Sequence, residues 1–305
     1  MNHILIFGKL PPPVGGVTKS IENLSNALRK KKVNHKFFSF FNIFKRYDIS
    51  HIHYLKRWKI IVALIIGKII SRKVILTYHS VNFYPNRSFI DRLILKVIDG
   101  IIVLNENVEK ECLDCKIETK KIIRLTPIFL EGIVTSKSTE KLFNKETEKI
   151  YLLVYAYDKV FLEGLEVYGI TFMLRILEKL KEEYTLVIVD PKSGYEKEII
   201  SHSLKNRIIY INRVIDFTSL LNSIDIYVRP TNFDGNSVAI LEALSLDKPV
   251  LASDAVNRQK GIITYKNNDT EDFLNTIDLC KNYTSDANIS SIDEYIKFLE
   301  SILDD

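Results

Sequence analysis

One segment near the carboxyl end, residues 224–254, constrains the fold more than any other part of the chain. Its first part, IDIYV, is apolar and β-prone, and Pro230 ends it before a polar loop. A helical stretch follows, which Asn236 or Ser237 can cap because their side chains accept hydrogen bonds from unpaired backbone amides. Pro249 then forbids further helix, and VLAS is the next strand. Strand, helix and strand in this order predict a βαβ unit of a parallel sheet.

The loop and the helix of this segment carry two acidic side chains, Asp234 and Glu242. Gly235 permits close backbone approach, and the amino end of a helix offers unpaired N–H groups and partial positive charge to an anion. A carboxylate on each side of such a site suits sugar or ribose hydroxyls, while the helix end holds phosphate. The alternative is an ordinary capped helix whose two acids are solvated. Asp247 stands where this helix ends, a position that often needs left-handed backbone.

The segment resembles the donor-site signature of retaining GT-B glycosyltransferases of family 4. That signature runs Pro-Ser/Thr, Glu-Gly-Phe-Gly, Leu-Glu-Ala and Gly-x-Pro-Val-x-Ala-Ser. The residues that match it in place are Pro230, Thr231, Gly235, Leu241, Glu242, Ala243, Pro249, Val250, Ala252 and Ser253. Asp234 replaces the first Glu, Asn236-Ser237 replaces Phe-Gly, and Asp247 replaces the last Gly.

The amino-terminal part carries further matches to the same family. A strand, Ile4 to Phe7, leads into GKLPPPVGG, and family 4 enzymes have a similar loop whose glycines (Gly15 and Gly16 here) face the donor diphosphate. KVILTYHS ends at His79, which resembles the strand-end histidine that lies near the transfer site in the family. Taken without the resemblance, the glycine pair is typical of a flexible turn and the histidine of a structural residue. No GxGxxG follows the first strand, which argues against an NAD-type site.

Two cations that neutralise the donor diphosphate in this family have no counterpart at the expected places. Tyr168-Gly169 occupies the Lys-Gly position, and Ala156 or Tyr157 falls near the expected Arg. Loss of a phosphate-directed cation costs orders of magnitude in rate, so another cation must compensate in an active enzyme. The candidates are Arg213, Arg229 and Arg258.

Positive charge is concentrated at the amino end, although the net charge is only +5. Residues 1–73 carry 15 Lys+Arg and 2 Asp+Glu, a balance that suits nucleic acid or an anionic membrane. The same region contains the apolar run 58–70, which is too short to span a bilayer and is interrupted by Lys68. This run is predicted either as a buried helix or as an interfacial element with Trp58 at headgroup level. Both hold if only one face is exposed.

Strand and helix patterns alternate twice, on either side of a polar and weakly patterned segment. At 305 residues and 46% hydrophobic content, the chain can form two domains with cores. We predict an α/β protein with the GT-B fold: two Rossmann-like domains whose parallel sheets face each other across a cleft. The predicted parts are an acceptor-side domain (1–130), a linker (131–149), a nucleotide-sugar-binding domain (150–285) and a carboxyl-terminal helix (286–305).

The resemblance implies a retaining transfer of sugar from a UDP- or GDP-type donor. The basic amino half predicts a glycolipid or lipid-linked oligosaccharide acceptor, in bacterial surface polysaccharide (capsule or O-antigen type) biosynthesis. The catalytic residues that the resemblance implies are His79, Asp234 and Glu242. The donor-binding residues are Gly15, Gly16, Arg229, Gly235, Asn236, Ser237 and Glu242. No metal, no further cofactor and no nucleic-acid partner are expected. Three cysteines and the lack of a visible secretory signal indicate a cytoplasmic protein. The basic amino half predicts that it is peripheral on the inner face of the cell membrane.

Two other classes of protein remain open. One is a catalytically weakened nucleotide-sugar-binding or scaffold protein, which kept the fold and lost the diphosphate cations. The other is a nucleic-acid-binding α/β protein, whose binding would depend steeply on salt.

Overall fold

The computed structural model describes residues 3–12, 15–79, 88–134, 143–234, 237–283 and 286–305, without the side chain of Asn42. The chain divides into two compact units. The first unit comprises Met1–Val134 and Ile289–Asp305, and the second comprises Thr135–Asn288. Part of the predicted linker, residues 135–142, lies outside the described residues.

Each unit is built on a parallel sheet with six described strands. In the first sheet the spatial order is β2-β1-β3-β4-β5-β6, and in the second it is β11-β10-β7-β12-β13-β14. The strands are β1 (Ile4–Phe7), β2 (His35–Phe37), β3 (Tyr47–Ile52), β4 (Ser71–Tyr78), β5 (Gly100–Val103), β6 (Ile122–Arg124), β7 (Ile150–Tyr155), β8 (Phe161–Leu162), β9 (Leu165–Glu166), β10 (Tyr184–Val189), β11 (Ile208–Ile211), β12 (Ile226–Arg229), β13 (Val250–Ser253) and β14 (Ile263–Tyr265). Strands β8 and β9 form a separate antiparallel hairpin. The predicted α/β architecture with two parallel sheets is confirmed.

The helices connect successive parallel strands and cover the sheets, as crossover connections do. They are α1 (Gly16–Lys30), α2 (Arg57–Ile70), α3 (Phe89–Val97), α4 (Glu106–Asp114), α5 (Ile170–Leu177), α6 (Glu196–Ile200), α7 (Phe217–Asn222), α8 (Val238–Ser245), α9 (Thr270–Thr276) and α10 (Ile292–Asp304). Short 3-10 turns lie at Phe40–Asn42, Thr119–Lys121, Leu130–Gly132, Lys205–Arg207 and Ile277–Asn282. Among the described residues, no helix is both long and apolar enough to cross a membrane.

The central strands form where the sequence is continuously apolar, because helices cover both faces of each sheet. All four residues of β1 are buried, as are all four of β12. Helix α8 begins as predicted, since Ser237 is its N-cap and accepts a hydrogen bond from the Ile240 amide at 3.4 Å. It ends as predicted too, because Asp247 follows with a left-handed φ of +53°. Cys112, Cys115 and Cys280 are buried and form no disulfide among the described residues.

The carboxyl-terminal helix α10 packs in the first unit, far from its neighbours in sequence. Glu131 accepts hydrogen bonds at its amino end from the Ser291 hydroxyl (2.8 Å) and the Ile292 amide (3.0 Å). Tyr295, in the second turn, is fully buried. The helix therefore completes the core of the first sheet.

Candidate functional site

The second sheet has a topological switch point between β7 and β12. From β7 the chain moves outward to β10 and β11, and then returns to β12 on the other side of β7. Ligands of open α/β sheets bind outside the carboxyl ends of the strands at such a point. Strand β12 ends at Arg229, and its neighbour β7 ends at Tyr155. The topology alone places Arg229 at the edge where a ligand is expected.

Arg229 forms one side of a buried triad of charges with Asp234 and Arg258. Its Nε and Nη2 donate to the two carboxylate oxygens of Asp234 at 3.0 and 3.1 Å, which is the bidentate geometry. Nη1 of Arg258 donates to the same carboxylate at 3.0 Å. The three side chains are only 5–11% exposed. One carboxylate thus faces two guanidinium groups, and the triad carries a net positive charge.

Arg229 and Asp234 are both ionised at neutral pH. Burial on its own would lower the pKa of Arg229, but the Asp234 carboxylate more than offsets this and raises that pKa overall. Burial would raise the pKa of Asp234, and the charges of Arg229 and Arg258 hold it below its usual value. The pairing therefore keeps the charges in place despite desolvation.

Further contacts fix the two arginines. Arg258 donates through Nε to the Ser253 carbonyl at 3.0 Å and through Nη2 to the Thr231 hydroxyl at 3.2 Å. The guanidinium carbon of Arg229 lies 5.5 Å from the ring centroid of Tyr168, a cation–π distance. Tyr168 occupies the position where the family carries its phosphate-binding lysine. At that place the structure has an aromatic ring that supports a cation from a neighbouring strand.

The predicted ribose ligand, Glu242, lies in the second turn of α8 and is partly buried. Ser237 caps the amino end of the helix through its side chain. Other backbone N–H groups of the first turn have no partner within the helix, and they favour binding of an anion. Gly235 and Asn236 lie outside the described residues. The prediction that Asp234 contacts a donor-sugar hydroxyl stays a prediction. Its carboxylate accepts hydrogen bonds from Arg229, Arg258 and Thr231.

Gly15 and Gly16 start α1 in the first unit. Gly15 is extended, with φ −164°, and its amide lies 3.0 Å from the Thr18 hydroxyl oxygen, which can accept a hydrogen bond from it. A Cβ added at Gly16 would meet no described atom within 4 Å, and one at Gly15 would meet only the Thr18 hydroxyl at 4.0 Å. Neither glycine is required by the packing of the described residues, which leaves a role in ligand approach open.

His79 follows β4 and joins a chain of buried side chains that the sequence analysis did not single out. Its Nε2 lies 3.4 Å from Nδ1 of His53, and Nε2 of His53 lies 3.3 Å from Nδ1 of His51. His51 also contacts the Tyr295 hydroxyl through Nδ1 (2.9 Å) and the Thr77 hydroxyl through Nε2 (2.7 Å). His51 and His53 alternate along one face of β3 and its end, and the HxH pattern in DISHIHYL was the available signal.

These histidines make the first unit sensitive to acid. Burial lowers the pKa of His51 to about 3 and that of His79 to about 4. An unfolded histidine has a pKa near 6.5, so below that pH the unfolded chain binds protons that the folded chain does not. The contribution of the buried neutral histidines to the free energy of unfolding is complete above about pH 6.5 and is lost as the pH falls toward 4. For His51 the loss at pH 5 is about 2 kcal/mol.

We expect hydrogen-exchange protection of the β3 and β4 amides to fall between pH 7.5 and 5, after correction for intrinsic exchange. The β10 and β12 amides of the second unit provide the internal comparison. Equal changes in both sheets would contradict a role for the buried histidines.

Residues 160–280 match the model of the family described as Glycosyl transferases group 1. This range includes the triad, Tyr168 and α8. Comparison of the sequence with curated proteins found no match.

Several solved glycosyltransferases have a similar fold. Anabaena Alr3699/HepE in complex with UDP aligns with a TM-score of 0.63 at 13% identity, over 99% of this chain and 93% of that chain. Sucrose-phosphate synthase from Thermosynechococcus elongatus gives 0.65 at 12% identity, over 99% and 92%. The apo form of the lipopolysaccharide outer core galactosyltransferase WaaB gives 0.58 at 12% identity, over 98% and 94%. The GT-B fold and the group 1 resemblance predicted from the sequence are confirmed.

Proposed function

We propose that this chain, a group 1 glycosyltransferase with the GT-B fold, transfers a sugar from a UDP-sugar to a lipid-linked saccharide acceptor. The observation that carries the proposal is the buried Arg229–Asp234–Arg258 triad at the switch point of the second sheet. In this proposal the triad, and Arg229 above all, neutralises the charge of the donor diphosphate, as the two missing cations do in the family.

The electrostatics of the triad suit a departing diphosphate. Negative charge grows on the diphosphate as the bond to the sugar breaks, and a fixed positive charge in a dry site stabilises it most at that moment. Two guanidinium groups against one carboxylate supply that charge, and the amino end of α8 adds its dipole. Glu242 then binds the ribose hydroxyls, Gly15 and Gly16 approach the diphosphate, and the transfer retains the anomeric configuration.

Uridine is the nucleoside that the comparisons favour. The Anabaena protein has been solved with UDP and with UDP-glucose. A lipid-linked acceptor agrees with the outer core galactosyltransferase among the similar folds. We therefore place the reaction at the cytoplasmic face of the membrane, in surface polysaccharide assembly.

The proposal is tested by incubating the protein with UDP-glucose, UDP-galactose, UDP-N-acetylglucosamine and GDP-mannose and measuring released nucleotide. We expect release of UDP from at least one donor, faster with a polyprenyl-linked sugar present. Glu242→Ala is expected to weaken UDP binding by roughly tenfold or more, since a hydrogen bond to a charged group is lost. Glu271→Ala, an exposed acid on α9, is the matched control. If no donor is turned over and Glu242→Ala leaves UDP binding unchanged, the scaffold alternative is preferred.

A second observation supports the membrane-bound acceptor: apolar side chains stand exposed on one side of the first unit. On α2 they recur at helical spacing, and on α3 they cover a similar stripe. We call these residues the apolar face: Phe40, Phe41, Phe44, Trp58, Val62, Ile65, Ile69, Phe89, Ile90, Leu93 and Val97. Arg57 and Asp91 join α2 to α3, and Arg46 donates to the Ile69 carbonyl, so the three segments are neighbours.

The charges around the apolar face suit an anionic lipid surface. Helix α2 contains no acidic residue, and Lys59 lies over the rings of Trp58 and Tyr54. Aromatic and aliphatic side chains next to lysines are the composition of interfacial helices. The inner face of α2, with Ile60, Ala63 and Leu64 among others, is buried in the core, so both readings of the apolar run 58–70 find support here.

We expect the protein to sediment with phosphatidylglycerol-containing vesicles. Ile65→Asp with Ile69→Asp is expected to lower that binding by roughly tenfold or more, because two exposed aliphatic side chains no longer enter the lipid. Leu279→Asp in the second unit is the matched control, because Leu279 is 62% exposed and Ile69 is 63% exposed. Equal sedimentation of the double variant and the wild type would contradict docking through this face. Charge reversal at Lys56 and Lys59 tests the electrostatic contribution to binding and is expected to release the protein from the anionic vesicles. The wild type is expected to bind neutral vesicles more weakly than anionic ones.

A further inference from the structure

The histidine chain lies at the switch point of the first sheet. Strand β2 is on one side of β1, and β3, β4, β5 and β6 are on the other, so the order reverses between β1 and β3. His53 directly follows β3, and its amide donates to the Phe7 carbonyl at the end of β1. A Cβ at Gly8 would come within 3.4 Å of the His53 Cβ and 2.6 Å of Ile21. The imidazoles therefore occupy the edge where α/β sheets bind ligands.

The contacts between the three histidine rings favour two proton arrangements of the neutral rings. In each ring a neutral imidazole has one N–H and one acceptor nitrogen, so the tautomer of one ring biases that of the next. In the first arrangement His79 donates to His53 and His51 donates to Thr77, while the lone pair of His51 Nδ1 accepts from Tyr295 at 2.9 Å and also faces the N–H of His53 at 3.3 Å. In the second arrangement the protons run the other way, and the single Nδ1–H of His51 faces both Tyr295 and His53. The choice decides whether the remaining nitrogen of His79, Nδ1, accepts or donates a hydrogen bond.

Tyr295 selects the first arrangement. A phenol donates a hydrogen bond better, and accepts one less well, than the aliphatic hydroxyl of a threonine. Tyr295 is fully buried, and burial raises its pKa, so its hydroxyl keeps its proton. With the phenol donating to Nδ1 of His51, the His51 proton is on Nε2 and faces Thr77.

We propose that His51 and His53 are positioning residues, which hold His79 as the neutral Nε2–H tautomer and so make its Nδ1 the nitrogen that accepts a hydrogen bond from a sugar hydroxyl. This inference rests on the proposed function, in which His79 lies near the transfer site. The reading as a metal site is not supported, because the described residues contain no group of His, Cys, Asp or Glu suited to a metal ion. The ring nitrogens pair with one another instead.

The experiment is nitrogen-15 NMR of the histidine rings in the full-length protein, without any substrate. The wild type is expected to show His79 protonated at Nε2 only. His53→Phe keeps a ring but removes both hydrogen bonds, so His79 is expected to populate both tautomers. His53→Asn is expected to restore the single tautomer, since its carboxamide oxygen can accept the same bond. Tyr295→Phe removes the donor that selects the first arrangement, so His79 is expected to populate both tautomers, and this variant decides the matter if His53→Phe does not fold.

Ser50→Ala is the matched control, because Ser50 lies in β3 beside His51 and bonds to Ser71 at 2.7 Å, outside the chain. It should leave the His79 signals unchanged. Turnover of UDP-sugar is expected to fall about tenfold or more in His53→Phe and to recover in His53→Asn. A wild-type His79 protonated at Nδ1, or unchanged His79 spectra in both His53→Phe and Tyr295→Phe, would overturn the inference. Because the spectra need no turnover, an inactive wild type would refute the proposed function and not this role.

Discussion

Replacing Arg229 with methionine is expected to lower donor turnover by about two orders of magnitude and to leave the fold intact. The guanidinium is the cation nearest the switch point, and methionine keeps an unbranched chain against the ring of Tyr168. Asp234 is not orphaned by this change, because Arg258 still donates to it at 3.0 Å. Steady-state release of UDP gives the rate, and urea unfolding gives the stability.

Two comparisons make this result specific. Arg175→Met removes an exposed arginine of α5 in the same unit and should change neither quantity. Asp234→Asn instead leaves two buried guanidinium groups without their carboxylate, and the expected loss of stability is about 3–5 kcal/mol. If Arg229→Met loses as much stability as Asp234→Asn while the remaining folded protein turns over normally, the triad is a structural ion cluster and not a diphosphate site.

Gly169→Ala is expected to destabilise the second unit severely and to abolish donor binding. Gly169 has φ +68°, which by itself costs a residue with a Cβ about 1–2 kcal/mol. The added Cβ would also lie 1.9 Å from the Pro230 carbonyl oxygen, and neither of these backbone segments can yield without moving the other. Pro230 opens the loop that carries Asp234, so the displacement reaches the triad. Urea unfolding and UDP titration measure both effects.

Gly164→Ala separates the two causes. Gly164 lies in the turn between β8 and β9 with φ +80°, and a Cβ there would meet no described atom within 4 Å. It carries the backbone strain without the collision, so the expected loss is only about 1 kcal/mol and UDP binding is unchanged. Equal losses in the two variants would show that the contact between Gly169 and Pro230 does not hold the loop.

The regular elements follow from local sequence signals. The segment 224–254 has the predicted strands, helix N-cap and left-handed turn. These elements depend on apolar runs and on residues a few positions apart. The hairpin of β8 and β9 was missed, since each strand has only two residues and its side chains are largely exposed.

The contacts that matter for the site are distant in sequence and leave no local pattern. Arg258, which follows β13 in the sequence, donates a hydrogen bond to Asp234. Tyr168, which lies between β9 and α5, packs its ring against the guanidinium of Arg229. The resemblance indicated that two diphosphate-binding cations have no counterpart, and Arg213, Arg229 and Arg258 were the candidates to replace them. Only the packing shows which arginines share one carboxylate. The histidine chain depends in the same way on Tyr295, which the fold of the last helix brings to His51.

The affinity of the protein for UDP relative to uridine isolates the contribution of the diphosphate to binding. We expect wild type to prefer UDP by about a hundredfold or more, and Arg229→Met to lower this preference by at least about tenfold. The uridine affinity and the Arg175→Met control should stay the same. An unchanged ratio in folded Arg229→Met would contradict the claim that the triad holds the donor diphosphate.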